Sequence, residues 1–80
     1  MVTVRLFAAA RAAAGTALVT LEPCEARDLA KAILARTDPA LAGVLPHCAL
    51  MANGARLDAT SAAMIEEGTV VDVLPPFAGG

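Results

Sequence analysis

The residues with the clearest chemical use are the last two of the sequence, Gly79 and Gly80. A glycine at a chain end offers an α-carboxylate with no side chain around it. A Gly-Gly tail is also narrow enough to thread into a tight active site on another protein, where that carboxyl group is activated. With glycine near 7% of residues, about one chain in two hundred ends this way by chance. The pair therefore needs support from the rest of the chain, and a frayed, functionless end is the plain alternative. The other reactive side chains offer less. Cys24 and Cys48 are too few for a disulfide scaffold; they read as two buried reduced thiols, with a single bridge between them as the alternative. There is no Cys-x-x-Cys pair, and the one histidine, His47, follows Pro46 in a loop and reads as a surface residue. No metal site is expected. Asp58 and Asp72 read as solvated carboxylates.

The elements that must present the tail have to come from 80 residues, which make one small domain. A domain of this size buries only a little over 60% of its unfolded surface, so it needs an apolar core. The composition supplies one at 58% apolar residues, although alanine adds little burial and Leu, Ile, Val and the two Phe must form most of it. The net charge is −2, with no Lys/Arg cluster and no aromatic stacking platform, which excludes nucleic acid as an expected partner. No apolar run approaches the roughly 20 residues needed to span a membrane. Arg5 and the alanine-rich stretch after it superficially suit a secretory leader, but Arg11 interrupts that stretch and cleavage would remove the first strand. The expectation is a soluble, cytoplasmic chain.

Residues 2–7 alternate apolar and polar for four positions, end in the apolar pair Leu6-Phe7 and carry β-branched side chains, which predicts a strand. Ala8 to Ala14 predicts a short helical turn, stopped by Gly15. Residues 16–21 predict a second strand, ended by Pro23. Residues 25–36 predict the one clear helix, with Leu29, Ala30, Ile33 and Leu34 on one face. Asp28 near its start and Arg36 near its end suit the helix dipole, and Asp38-Pro39 breaks it. Residues 40–47 predict an apolar loop whose Leu41, Val44 and Leu45 cover one edge of the core. Residues 48–52 predict a third strand, Asn53-Gly54 a type I′ hairpin turn, and residues 56–58 a short returning strand. Residues 60–66 predict a further helical turn with Met64 and Ile65 inward. After a turn at Glu67-Gly68, residues 69–74 predict the last strand. Pro75-Pro76 ends it and holds the chain extended, leaving Phe77-Ala78-Gly79-Gly80 as a tail. The expected organisation is a domain over 1–75 and an extended tail over 76–80.

One helix with a single apolar stripe covers only one face of a four- or five-stranded sheet. The expected fold is therefore α+β, a roll with a mixed sheet and one main helix. Its other sheet face meets water or a partner.

This order of elements resembles the ubiquitin-like β-grasp sulfur carriers, and within them the small subunit of molybdopterin synthase (the MoaD type). The likeness is carried by Leu6-Phe7-Ala8 followed by Arg11, by Gly15-Thr16, and by Met51-Ala52-Asn53-Gly54. It is also carried by Glu67-Gly68-Thr69-Val70-Val71, and most of all by the ending Leu74-Pro75-Pro76-Phe77-Ala78-Gly79-Gly80. It departs from that family at Ala12, where an acidic residue is frequent, and at Phe77, where a smaller β-branched residue is common.

The resemblance implies that the terminal carboxylate, anionic at pH 7 with a pKa of about 3.5, is adenylated by a ubiquitin-activating-type adenylyltransferase using ATP and magnesium. A sulfur donor protein then converts it to a thiocarboxylate, and the sulfur goes to a pterin precursor in the molybdopterin synthase large subunit. Gly80 would be the reacting residue and Gly79 would keep the tail slim. The chain would bind no cofactor itself and act as a carrier subunit. The resemblance also implies a partner interface of Phe7, Arg11, Leu57, Leu74, Pro75, Pro76 and Phe77, with Phe7, Leu57 and Leu74 on the open sheet face. Ordinary core packing is the alternative for those three. The same Gly80 chemistry would serve a carrier for thiazole, cysteine or tRNA thiolation. A β-grasp protein modifier or binding module is the remaining reading.

Overall fold

The computed structural model describes residues 1–76. Its centre is a five-stranded mixed sheet in the order β2-β1-β7-β4-β5, with β1 Val2–Leu6, β2 Leu18–Leu21, β4 Ala49–Ala52, β5 Ala55–Arg56 and β7 Val70–Leu74. The two longest strands, β1 and β7, lie side by side and parallel, with Val4 opposite Val71 and Leu6 opposite Val73. All other pairings in the sheet are antiparallel. The period-2 pattern decides the faces. Val2, Val4, Leu6, Leu50, Val71 and Val73 point inward and are buried.

Helix α1, Ala8–Ala14, and helix α2, Leu29–Leu34, both contribute to the core from the same side of the sheet. Leu29 and Ile33 of α2 are fully buried, as is Leu41 from the 3-10 turn over Pro39–Gly43. Leu45 and half-buried Val44 complete the cover that the apolar loop was expected to give. The expected α+β, ubiquitin-like β-grasp fold is the fold observed, with one sheet face covered and the other open among the described residues.

Three local expectations are corrected. The helix expected over 25–36 starts later: Ala26–Asp28 is a 3-10 turn, and α2 proper is Leu29–Leu34. The reason is a competing strand. Cys24–Glu25 form β3, paired antiparallel with β6, Met64–Ile65, in a separate two-stranded sheet. The Ala26 and Arg27 amides donate to the Ala63 and Ser61 carbonyls, so the backbone there is already engaged.

The helical turn expected over 60–66 is instead polar turns followed by β6. The Asp58 carboxylate accepts from the Thr60 amide at 2.9 Å and the Thr60 hydroxyl at 2.7 Å, and Ser61 Oγ accepts from the Ala63 amide at 3.0 Å. Such side chains offer the backbone partners that a helix would have to supply itself. Ile65 points inward as expected, but Met64, at the next position of an extended segment, is exposed. Finally, β5 is Ala55–Arg56, so Leu57 and Asp58 lie beyond it.

The hairpin between β4 and β5 has the expected two-residue turn. Asn53 and Gly54 have φ of 48° and 83°, and Ala52 pairs with Ala55. The Asn53 side chain adds an unforeseen tie by accepting from the Val70 amide at 2.9 Å. It thereby fixes the hairpin to the start of β7.

Candidate functional site: the open sheet face and the root of the tail

Parity places Thr3 and Arg5 of β1, Asp72 and Leu74 of β7, Met51 of β4 and Arg56 of β5 on the uncovered face. The register makes one row across the sheet: Leu18, Arg5, Asp72, Met51, Arg56. At its centre the Arg5 guanidinium donates twice to the Asp72 carboxylate, from Nε at 2.6 Å and from Nη2 at 2.8 Å. This two-pronged geometry is specific to arginine. Asp72 was expected to be solvated; it is paired and its side chain is only 21% exposed. Hydrogen bonding from Arg5 holds the Asp72 carboxyl below the ordinary carboxylate range, against a smaller opposing effect of burial. The same guanidinium lies 5.8 Å from the centroid of the Phe7 ring, within cation–π range.

Phe7 continues the line of β1, and its amide donates to the Val73 carbonyl at 3.3 Å. It follows the Leu6–Val73 pair as Leu74 does on β7, so both stand on the open face next to the Arg5–Asp72 pair. Phe7 is 39% exposed and Leu74 half-buried. Pro75 is buried and Pro76 exposed. Beside them a groove of about 440 Å³ is lined by Pro46, His47, Ala49, Arg56, Leu74 and Pro76. Arg11 is exposed on α1. His47 is exposed, as expected.

Leu57 lies apart from this group. Its amide donates to the carbonyl of inward-facing Leu50 at 2.8 Å, and its side chain is half-buried against the core. With Ala30, Leu34, Leu45 and Leu50 it lines a groove of about 390 Å³ on the helix side. The expectation that Leu57 shares the open face with Phe7 and Leu74 is corrected by one step of strand parity. Phe77, Gly79 and Gly80, with the rest of the expected tail after Pro76, lie outside the described residues.

Arg5, Met51, Arg56 and Leu18 were not singled out from sequence. The signal for Arg5 was present in the alternation of Val2, Val4 and Leu6 with Thr3 and Arg5. Its partner Asp72 follows only from the parallel register of β1 with β7, which links the two ends of the chain.

Neither thiol is poised for chemistry. Cys24 and Cys48 are free and half-buried. Burial raises both pKa values, with a further push from Asp28 at Cys24, so both stay protonated near neutral pH. Cys48 donates to the Val44 carbonyl at 3.3 Å. Among the described residues, no three His, Cys, Asp or Glu side chains are grouped to hold a metal ion. No helix among them is long and apolar enough to cross a membrane.

A mixed five-stranded sheet with parallel central strands, helices on one face and a last strand that runs to the C-terminal segment defines the ubiquitin-like β-grasp class. The chain belongs to the ThiS family, whose sequence model matches residues 4–80. Among solved structures, SAMP1 from Haloferax volcanii superposes with a TM-score of 0.81 at 23% identity, covering 99% of this chain and 98% of that one; at that identity the likeness speaks to the fold alone. A putative molybdopterin converting factor subunit 1 from Pyrococcus furiosus has a TM-score of 0.75 at 25% identity, covering 95% and 97%. The complex of subunits 1 and 2 of the molybdopterin-converting factor from Helicobacter pylori contains a chain with a TM-score of 0.71 at 26% identity, covering 99% and 97%. A search of the curated proteins finds no match.

Proposed function

We propose that this chain is the sulfur-carrying small subunit of a molybdopterin synthase. The observation that carries the proposal is the end-to-end likeness to two molybdopterin-converting factor subunits, joined to a ThiS-family match that runs through Gly79 and Gly80. In this reading Gly80 is the reacting residue. Its carboxylate attacks the α-phosphorus of ATP on an activating-type enzyme, forming an acyl-adenylate and releasing pyrophosphate. Hydrosulfide released by a donor protein then attacks the acyl carbon and displaces AMP, leaving a thiocarboxylate. Magnesium and ATP belong to the activating partner. Gly79 carries no side chain to block the channel that receives the tail.

The open face supports the docking half of this role. Phe7 and Leu74 form an apolar patch beside the Arg5–Asp72 pair, at the root of the segment that must enter the partner. Small interfaces draw most of their affinity from a few aromatic and arginine anchors, and Phe7 with Arg5 fits that description. The Helicobacter pylori relative was solved in complex with subunit 2 of its converting factor, and we assign the corresponding large subunit as the partner here.

The test is reconstitution. Thiocarboxylated chain, mixed with the large subunit from the same source and a pterin precursor, is expected to yield molybdopterin, while chain lacking Gly79 and Gly80 yields none. If the thiocarboxylate forms but no molybdopterin appears, the pathway is wrong. A pull-down then separates the other carriers, since capture of a thiazole synthase or a tRNA thiolase would name the acceptor. Adducts on target lysines would instead mark a modifier.

A further inference from the structure

We propose that the free edge of β2 is a pairing site for a second copy of this chain, held shut by the hydroxyl of Thr16. This inference does not depend on the sulfur-carrier reading.

β2 is an end strand of the five-stranded sheet. The Leu6 amide donates to the Ala17 carbonyl at 2.9 Å, which fixes the alternation of the antiparallel β1–β2 ladder. Val4–Val19 and Val2–Leu21 are hydrogen-bonded pairs, whereas Arg5–Leu18 and Thr3–Thr20 are not. The amide and carbonyl groups of Leu18 and Thr20 therefore point away from the sheet, where a new strand would add. Proteins protect such edges with charge, proline or a bulge. β2 has none of these, its sequence being Leu-Val-Thr-Leu.

What it has is Thr16. The Thr16 hydroxyl donates to the Leu18 carbonyl at 3.1 Å, and the Leu18 amide donates back to the same oxygen at 3.4 Å. One side chain thus occupies both outward groups of Leu18, the first rung a neighbour would use. Among the described residues, Thr20 is left as the open rung.

A second copy fits the uncovered edge. Antiparallel self-pairing centred on Val19 puts Leu18 of each copy across from Thr20 of the other, and Glu22 across from Thr16. No like charges meet in the seam. Arg5, the nearest charge on the adjoining strand, is already bound to Asp72. Leu18, 51% exposed, would gain cover.

Wild type is expected to sediment as a monomer. Thr16→Val keeps the shape and removes the hydroxyl; it is expected to self-associate, and its Leu18 amide to exchange about fivefold faster when dilute, the factor for one lost hydrogen bond. Thr16→Ser keeps the oxygen and is expected to stay monomeric. Thr20→Pro added to Thr16→Val is expected to restore the monomer, since the Thr20 amide makes no bond to β1 and proline removes only the outward donor. Leu18→Lys, which puts two charges in the seam, gives the same readout should the proline variant not fold. A Thr16→Val protein that stays monomeric with unchanged Leu18 exchange would overturn the proposal. So would association that survives Thr20→Pro or Leu18→Lys.

Discussion

Asp72 and Arg5 stand 67 residues apart in sequence and meet in the middle of the open sheet face. The pair is the main electrostatic feature of that face, and its effect on stability has a definite sign. The Asp72 carboxyl is held below its ordinary range by the Arg5 hydrogen bonds. Its contribution is therefore present above the unfolded aspartate pKa of about 3.9 and is lost as pH falls through the lower folded value. Asp72→Asn is expected to be less stable than wild type at pH 7 and to converge with it in strong acid, as read by urea unfolding across that range. Because the Arg5 side chain is half exposed, the difference should be small and should shrink in high salt. A gap between the two proteins that widened in acid would show that the pair is not what holds the pKa down. The sequence exposed one half of this pair, since Arg5 falls on the polar phase of β1, but gave no pairing for Asp72.

The elements differ in how plainly the sequence announces them. β1 alternates apolar and polar over five residues, β7 is an apolar, mostly β-branched run broken only by Asp72, and β4 is an apolar run placed by the Asn53-Gly54 turn that follows it; all were legible. β3 and β6 are two residues each, too short for a period, and they exist because each finds the other across the chain. The 60–66 segment carries apolar residues that suit a helix, and Asp58, Thr60 and Ser61 overrule them through local side-chain bonds. Helix α1 was legible from its alanines and from Gly15, which closes it with φ 76°. Its bounds, Ala8–Ala14, are those expected; the backbone of its first residue was not foreseen, because Ala8 has φ 49°, a left-handed conformation costing about 1–2 kcal/mol for any residue with a Cβ. Ala8→Gly is expected to relieve that strain and, after the entropy glycine adds to the unfolded chain, to leave stability unchanged or raised by up to about 1 kcal/mol. Ala9→Gly, one position on, is expected to cost about 1 kcal/mol. Equal losses in chemical denaturation would contradict the strain assigned to Ala8.

At the scale of the whole molecule, the division of labour follows from amphipathicity. The helices take one side of the sheet, and the other side, with Phe7, Leu74 and the Arg5–Asp72 pair, is uncovered among the described residues and is the face we propose for a partner. The parallel pairing of β1 with β7 brings the outward residues of the first strand beside the strand that leads into the C-terminal segment, so the proposed docking surface adjoins the strand that leads to the proposed reactive end. The sequence made the end visible and the open face expected. It did not place Leu57 correctly, because the hairpin register sets Arg56 beside outward Met51 and so turns Leu57 inward with Leu50. The central claim is that the carboxyl group of Gly80 is activated and sulfurated. Its most direct test is the intact mass of the chain after co-expression with its activating enzyme and sulfur donor. The mass is expected to rise by one sulfur minus one oxygen, localised to Gly80 and absent when a residue is appended after it. An unchanged mass under conditions in which the activating enzyme is shown to bind the chain and consume ATP would contradict it.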